Sequence, residues 1–471
     1  MATAATEQAY VEQVEFHLPI TTERDLRDYV ECALGLQIPS NPVCRDRGHA
    51  NHSTPWDAFV DAYFARHPVA LWKASRALGG KSHTLAALGV TEAQTMRRCE
   101  VALLGGSGEQ AKRVHESMQE FWNCESAPAY LLRGDPSAER TRLVNDSAVK
   151  VQMASSRSVR GPHPQRLRLD EVDEMDASIF WSAMGQPMTK HAVRANVVGA
   201  STHHYDAGLF EDLLDIAPAK GWSVHEWCLE ETRTSNGGWV SEDLIREKQA
   251  QMSEEDWLTE VKLQRPTKGL RVFPTFGVET HVRHVAIVPD LPVYLGIDFG
   301  FLRFAWVAFQ LVGDYVQVFA ADLWPQSGSV DGGRRLAAMP WAAKVKRIGC
   351  DPAGNATDVR HGAAYSQVRD VNQAFGRDLC VFTHAQPYAS PNWRASQLRV
   401  LLRDGAGASR FAVDVKCAAL IRALRKLSYK EGSRDEIDKT DSLDDPIDAL
   451  GYGMTAAAWL KPAQFGGARP R

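Results

Sequence analysis

Eight cysteines, Cys32, Cys44, Cys99, Cys124, Cys228, Cys350, Cys380 and Cys417, are scattered through 471 residues without a single CxxC pair. That spacing excludes a zinc ribbon and a disulfide framework, and fits reduced thiols in a cytoplasm. No apolar run reaches the roughly 18 residues that a membrane helix needs. The opening MATAATEQAYVEQVEF has neither a basic n-region nor an apolar h-region, so the expectation is a chain that is soluble and not secreted. An excess of positive charge is also missing: Lys plus Arg number 54 against 58 for Asp plus Glu, a net charge of −4. A uniformly basic nucleic-acid binder is thereby excluded, and any contact with a polyanion must be local. No repeat of fixed period occurs.

What is present is a chain too long for one ordinary domain, 44% apolar, for which two globular domains are expected. From about Trp56, strand-like runs alternate with helical stretches: VALW, a helix after Lys81, EVALLGG, a helix from Glu109, RLRLD and VVGAS. This alternation predicts a parallel sheet covered by helices. A polar, Trp-rich stretch follows from Phe210 to about Val288 and reads as a lid and linker. PVYLGIDFG, FAWVAFQLVG and DYVQVFAADLW then open a second α/β domain as a meander, with a Gly-Asp turn between the last two. Helices over 395–403, 415–429 and 446–460 are expected to complete it.

The segment Ser75–Thr84, SRALGGKSHT, stands between a strand and an amphipathic helix. Gly79 and Gly80 allow backbone N–H groups to turn around phosphates at a helix N-terminus, where Lys81 would offset the β/γ charge and Ser82 can ligate Mg²⁺; the alternative is a plain Gly-Gly turn followed by an exposed lysine. Against the pattern GxxxxGKS, Ser75 replaces the first glycine. In LRLDEVDEMD, Asp170 and Glu171 end a strand-like run, where one acid can hold Mg²⁺ and its neighbour orient a water. Arg166 and Arg168 make that strand less apolar than a buried parallel strand should be. Arg76 and Arg160 are both candidates for stabilising charge at the γ-phosphate. Ser201 and Thr202, ending VVGAST, are either γ-phosphate sensors or a strand-terminating turn.

The second half carries acids on regular elements. Asp298 lies in the apolar run YLGIDFG, where a charge needs a partner or a metal. Asp351 ends KVKRIGCD. In SLDDPIDALGYG, Pro446 fits the first helical position, which makes Asp445 the expected N-cap and Asp448 the N3 residue, with Asp444 just outside the turn. Capping accounts for Asp445 but not for two strand-embedded acids alongside it. Three or four carboxylates on rigid elements suit two divalent ions for phosphodiester cleavage, and oxygen-only donors select Mg²⁺ or Mn²⁺ over zinc. GIDFG also occurs at the start of a phosphate-binding hairpin in actin-like ATPases, but no convincing second glycine-rich loop follows here.

SRALGGKS, SGEQAKRV, SVRG, LDEVDE, VVGAST, GIDFG, IGCDPAG and DDPIDALGY occur in that order from about Trp56 to about Trp459. The ordered set resembles the large subunits of the DNA-packaging terminases of tailed phages and prophages. The resemblance implies an N-terminal P-loop ATPase with a parallel sheet and a ribonuclease-H-like α/β nuclease. The expected division is an extension over 1–55, the ATPase over 56–209, a lid and linker over 210–288, the nuclease over 289–460 and a flexible tail over 461–471. It also implies roles. Lys81 and Ser82 would bind ATP phosphates, Asp170 Mg²⁺, Glu171 the attacking water, and Ser201 with Thr202 would couple hydrolysis to movement. Arg160 falls where some members place an arginine finger acting between subunits. Asp298, Asp351 and Asp448 match nuclease metal ligands for two Mg²⁺ or Mn²⁺, with Asp444 a fourth candidate, although many relatives carry a His-Asp or Asp-His pair where this chain has Asp444-Asp445. Implied partners are double-stranded DNA, a procapsid portal, a small terminase subunit and further copies in a ring of five, in the host cytoplasm and without a membrane. The alternative is a helicase-like DNA-dependent ATPase whose second half binds DNA without cutting it. The basic residues Arg394, Arg399 and Arg403, or Arg422, Arg425 and Lys426, are candidates to line a duplex.

Overall fold

The computed structural model describes residues 20–44, 52–123, 128–152, 163–202, 208–264, 271–300, 303–355, 366–382, 384, 390–430, 436–439 and 442–457. They fall into two compact units, bounded by Met1–Ile245 with Leu258–Pro266 and by Arg246–Trp257 with Thr267–Gly466.

In the first unit, β1 (Val69–Ala74) and β6 (Asn196–Ser201) are buried along their whole length. Alternate residues of β1 enter different cores: Ala70, Trp72 and Ala74 pack with the helix Lys81–Thr95, while Val69 and Leu71 pack with the helices Ala177–Met184 and Leu209–Lys220. A strand apolar on both faces needs cover on both, and helical crossovers between parallel strands supply it. The sheet order is β3-β4-β2-β5-β6-β1-β7, with β2 (Glu100–Gly105), β4 (Ala148–Val151), β5 (Arg166–Asp170) and β7 (Ser223–Trp227) parallel to their neighbours and β3 (Arg140–Arg142) antiparallel to β4. The ends of β1, β6 and β5 are aligned, Lys73 opposite Ser201 and Ala200 opposite Asp170.

Two expected boundaries shift. β7 lies inside the stretch expected to form a lid, yet it pairs with β1 as the edge of the first sheet. Val224 between two polar residues gives that strand a weak pattern, and the sheet contact decides its state. The helix Glu23–Leu34, inside the expected extension, is capped by Thr22 and Asp25 and buries Leu26, Val30 and Leu34 in the same core as Phe59 and Trp72. It belongs to the first unit.

The polar character of β5 also finds its cause. Arg166 and Arg168 are buried, and both meet Glu92 on the helix Lys81–Thr95. Arg168 Nε lies 3.1 Å from Glu92 Oε2, its Nη2 bonds Oε1, and Arg166 Nε lies 3.2 Å from Oε1. Arg168 Nη1 also donates to Asn196 Oδ1 at 2.8 Å, and Arg166 Nη2 to the Tyr63 carbonyl at 2.9 Å. Burial pulls the Arg168 guanidinium below its ordinary range and the Glu92 charge opposes this.

The second unit centres on an antiparallel meander, β9 (Val293–Gly300), β10 (Arg303–Val312) and β11 (Tyr315–Pro325). Gly313 makes the last turn at φ +62°, a conformation that favours glycine. β12 (Val345–Cys350) adds parallel to β9, and β13 (Cys380–Val381) to β12. On the other side β14 (Phe411–Asp414) adds parallel to β11, and β8 (Val282–Arg283) to β14. The result is a mixed seven-stranded sheet built on the expected meander, although it starts at β8 and draws Val272, Phe273 and Phe276 into its core, ahead of the expected boundary.

Replacing Glu92 with Ala leaves the Arg166 and Arg168 guanidinium groups buried without their shared carboxylate. The expected loss is about 3–5 kcal/mol, measured by denaturant unfolding of the first unit. A loss below about 1 kcal/mol, the range of an exposed pair, would show that the ion triad is not a structural requirement.

Candidate functional site

The chemistry in the first unit gathers at the C-terminal ends of β1, β5 and β6, where open parallel sheets place their ligands. After Ala74 the chain turns through Ser75–Gly80 into the helix that begins at Lys81. Ala77 and Gly80 both have positive φ, +58° and +66°. Gly80 is the N-cap and offers no side chain to the first turn, so the first N–H groups remain directed at whatever the loop encloses. A Cβ on Gly79 would lie 2.6 Å from the Ser75 carbonyl oxygen, and one on Gly80 would lie 2.5 Å from the Trp239 ring. Both positions therefore admit only glycine without rearrangement.

Lys81 is buried. Its Nζ donates to Thr202 Oγ1 at 2.6 Å and lies 3.5 Å from Glu171 Oε1. Ser82 Oγ donates to Asp170 Oδ2 at 2.7 Å. Burial first, then the charge of Glu171, pushes Asp170 up to about 6, against the pull of Lys81. Glu171 itself holds φ +51°, a strained conformation for a non-glycine residue. Thr202 Oγ1 donates to the Ala74 carbonyl, and the Asp173 N–H donates to Ser201 Oγ at 3.2 Å. Lys81, Ser82, Asp170, Glu171, Ser201 and Thr202 are thus brought into one network.

Ser75 and Arg76 are placed differently. Ser75 is buried with its hydroxyl donating to the Val261 carbonyl at 2.5 Å. Arg76 bonds Glu260 twice, its N–H to the carbonyl at 2.8 Å and Nη1 to Oε1 at 2.8 Å. Both anchor the loop to the helical turn Trp257–Val261. Arg160 lies outside the described residues. Sequence reasoning missed Trp227, whose indole N–H donates to the Gly79 carbonyl at 2.8 Å, as well as Trp239 and Glu260. All three lie in the stretch expected to be a lid, and their polar, Trp-rich context was the available signal.

In the second unit the acids converge because one helix comes unusually close to the sheet. A Cβ on Gly296 of β9 would overlap the Ala449 carbonyl, one on Gly349 of β12 would overlap the Tyr452 carbonyl, and one on Gly453 would lie 3.0 Å from Gly296 Cα. The helix Asp444–Ala456 therefore lies with its backbone on β9 and β12. Side chains two apart on a strand share a face. Gly296 and Asp298 consequently face this helix, Asp351 follows the end of β12 close enough for its charge to act on Asp298, and Asp444 and Asp448 lie one turn apart on the helix. Burial first, then the charges of Asp448, Asp445, Asp351 and Asp444, pushes Asp298 up to about 8.

The capping expectation fails here. The helix starts at Asp444, its N-cap Leu443 already has helical φ and ψ, and no side chain caps it. Asp445 instead faces Arg303 Nε at 3.4 Å. Arg394, expected as a basic residue along a duplex, is buried and bonds Asp448 Oδ1 at 2.6 Å. Arg399 donates to the Tyr429 hydroxyl and Arg403 pairs with Glu254 at 3.1 Å, whereas Arg422, Arg425 and Lys426 are exposed. Lys439, which sequence reasoning did not single out, brings its ammonium to 3.0 Å from Asp444 and 3.6 Å from Asp448. The cluster thus draws a cation to itself, and its donors are hard carboxylate oxygens. These properties fit Mg²⁺ or Mn²⁺.

Neither a scan against protein-family models nor a search of curated proteins gives a match. Solved structures do match. The large terminase of a thermophilic bacteriophage aligns with a TM-score of 0.56 at 12% identity, covering 84% of this chain and 98% of that one. The same protein in complex with ATP-gamma-S aligns with a TM-score of 0.55 at 11% identity, covering 84% and 97%. Over most of its length, this chain has the two-unit fold of a phage large terminase.

Proposed function

We propose that the protein is an ATP-driven motor that moves double-stranded DNA into a viral procapsid and cuts concatemeric DNA with a metal-dependent endonuclease. The observation that carries this reading is the presence of two constellations in one chain. One is the buried Lys81, Ser82, Asp170, Glu171 and Thr202 network, and the other is the carboxylate cluster pressed against β9 and β12. The ATP-gamma-S complex of the thermophilic phage protein supports the nucleotide assignment.

In the first unit Lys81 would meet the β- and γ-phosphates at the helix N-terminus, Ser82 and Asp170 would hold Mg²⁺, and Glu171 would orient the attacking water. Ser201 and Thr202 join that site to β6 and to Asp173, a route by which loss of the γ-phosphate moves neighbouring elements. In the second unit Asp298, Asp351 and Asp448 would hold the metal, with Asp444 as a fourth ligand. A bound pair of divalent ions would supply an activated water and charge stabilisation at the leaving oxygen. The chain's own part is to keep these acids on rigid elements, with Arg394 fixing the rotamer of Asp448. A second half that merely bound DNA would repel phosphates with such a cluster, which disfavours the helicase-like alternative. The working assembly is a ring, five copies by resemblance, on a procapsid portal in the host cytoplasm, with a small terminase subunit selecting DNA.

Replacing Lys81 with Ala removes the charge that meets the phosphates, so ATP turnover should fall by orders of magnitude while plasmid cutting persists. Near-normal turnover in K81A would refute the assignment.

D298N and D351N should each abolish Mg²⁺- or Mn²⁺-dependent plasmid cutting with ATPase retained. Added Mn²⁺ should raise the melting temperature of the wild type and not of D298N, since only a bound ligand shifts stability by mass action. D448N should lose cutting and also stability, because its carboxylate pairs with buried Arg394. Continued metal-dependent cutting by D298N would remove the nuclease assignment.

Mixing R160A with E171A subunits, each inactive alone, should restore part of the ATPase activity if Arg160 serves a neighbour's nucleotide. Mixed rings that stay inactive would place the finger elsewhere.

A further inference from the structure

A second cluster of metal-binding groups sits in the first unit, apart from the acids and the nucleotide network. Its hub is Glu231, in the short helix Leu229–Thr232 that follows β7. The Glu231 side chain has no exposed surface. Its Oε1 accepts from the Cys44 N–H at 2.8 Å and lies 2.5 Å from His52 Nε2, while Oε2 accepts from the Cys228 N–H at 3.1 Å. One ligand atom each from Cys44, His52 and Glu231 lies within 4.8 Å of the others. The Cys228 thiol, also buried, lies beside Glu231 and Cys44, and its Sγ accepts from the Glu230 N–H at 3.4 Å.

We infer that Cys44, His52, Glu231 and Cys228 form a structural zinc site. Tetrahedral zinc with bonds of about 2.0–2.3 Å sets its ligand atoms roughly 3.3–3.8 Å apart, so Cys44, His52 and Glu231, whose ligand atoms lie within 4.8 Å of one another, need shifts of about 1–1.5 Å at most, and the Cys228 thiol turns in to complete the set. Two thiolates and an imidazole select zinc over Mg²⁺, and four protein donors, Glu231 and Cys228 buried and Cys44 and His52 half-buried, leave no open position, as in structural rather than catalytic sites. Adjacent sequence motifs do not announce it, because Cys44 and His52 are brought to Cys228 and Glu231 by the pairing of residues 52 and 53 with Glu226 of β7.

Position gives the site its consequence. Cys228 directly follows Trp227, whose indole holds the Gly79 carbonyl in the phosphate loop. Zinc here would clamp the segment around Cys44 and His52 to the end of β7 and fix Trp227 behind the loop. The metal assignment itself does not depend on the nucleotide reading.

The test uses the full chain, expressed without a histidine tag and purified without chelators, in a D298N/D351N background that removes the acidic cluster as a rival binder. Elemental analysis should find close to one zinc per chain, falling several-fold in C44S and in C228S and unchanged in C32S. Because a ligand variant can fail to fold, the parent protein supplies a second readout. Zinc should protect Cys44 and Cys228 from alkylation, and a chelator should expose them together, while Cys32 reacts throughout. The inference is overturned if the parent carries no more zinc than C44S, if alkylation of Cys44 and Cys228 is indifferent to zinc, or if peptide mapping finds the two joined as a disulfide.

Discussion

The helix Asp444–Ala456 can reach β9 and β12 only because Gly296, Gly349 and Gly453 present no Cβ where its backbone lies. Carboxylates repel one another, and a cluster of them forms when the backbone leaves no alternative arrangement. Here the contact is made of main chain, so it does not yield as a long side chain would. Asp298 follows Gly296 by two residues on β9 and therefore faces the same helix, and Asp351 leaves the end of β12 two residues after Gly349. The cost appears in Asp298, pushed up to about 8 by burial and by the four other acids. Partial relief comes from Arg394 on Asp448, Lys439 on Asp444 and Arg303 on Asp445.

The first unit solves a related problem with the opposite sign. Two arginines on β5 are buried beneath the helix that carries Lys81, and a single carboxylate, Glu92, serves both. This places an ion triad under the helix that Gly80 and the loop before it lead into. The other side of the loop is held by Val261 and Glu260, and Trp227 holds its Gly79 carbonyl. Positive φ at Ala77 and at Glu171 marks strain beside that frame, and strain of this kind persists only where surrounding contacts over-determine the backbone.

Much of this was legible in the sequence. The strand runs, the Gly79-Gly80-Lys81-Ser82 turn, and Asp170, Asp298 and Asp351 at or near strand ends follow from period, turn chemistry and the cost of burying charge. The shared Gly-x-Asp of GID and GCD is the trace in the sequence of the close helix contact, and it takes meaning only from the backbone that the helix brings there. What could not be read was long-range. β7 has a mixed pattern that only pairing with β1 resolves. Asp445 fits an N-cap by local rules, yet Leu443 already has helical angles, and the acid faces Arg303 on β10 instead. Arg394 looks like a solvated helical charge until its helix packs against the one bearing Asp448. In each case tertiary partners outweighed a local preference of about 1 kcal/mol.

Both sites share one further feature, a lysine ammonium beside an acid that has its own task. In the proposed cycle Lys81 cannot give its full charge to a phosphate and to Glu171, 3.5 Å away, at the same time. Arriving phosphates carry more negative charge than one carboxylate and draw the ammonium toward themselves. Glu171, held in place by its strained backbone, then loses a competing cation and becomes a stronger acceptor for the proton of a water. Lys439 stands in the same relation to Asp444 and Asp448, but it is half-exposed where Lys81 is buried. A flexible, solvated ammonium yields to a divalent ion at little cost, whereas a buried one changes partners without leaving. The difference in burial thus suits one lysine to stay with its substrate and the other to be displaced.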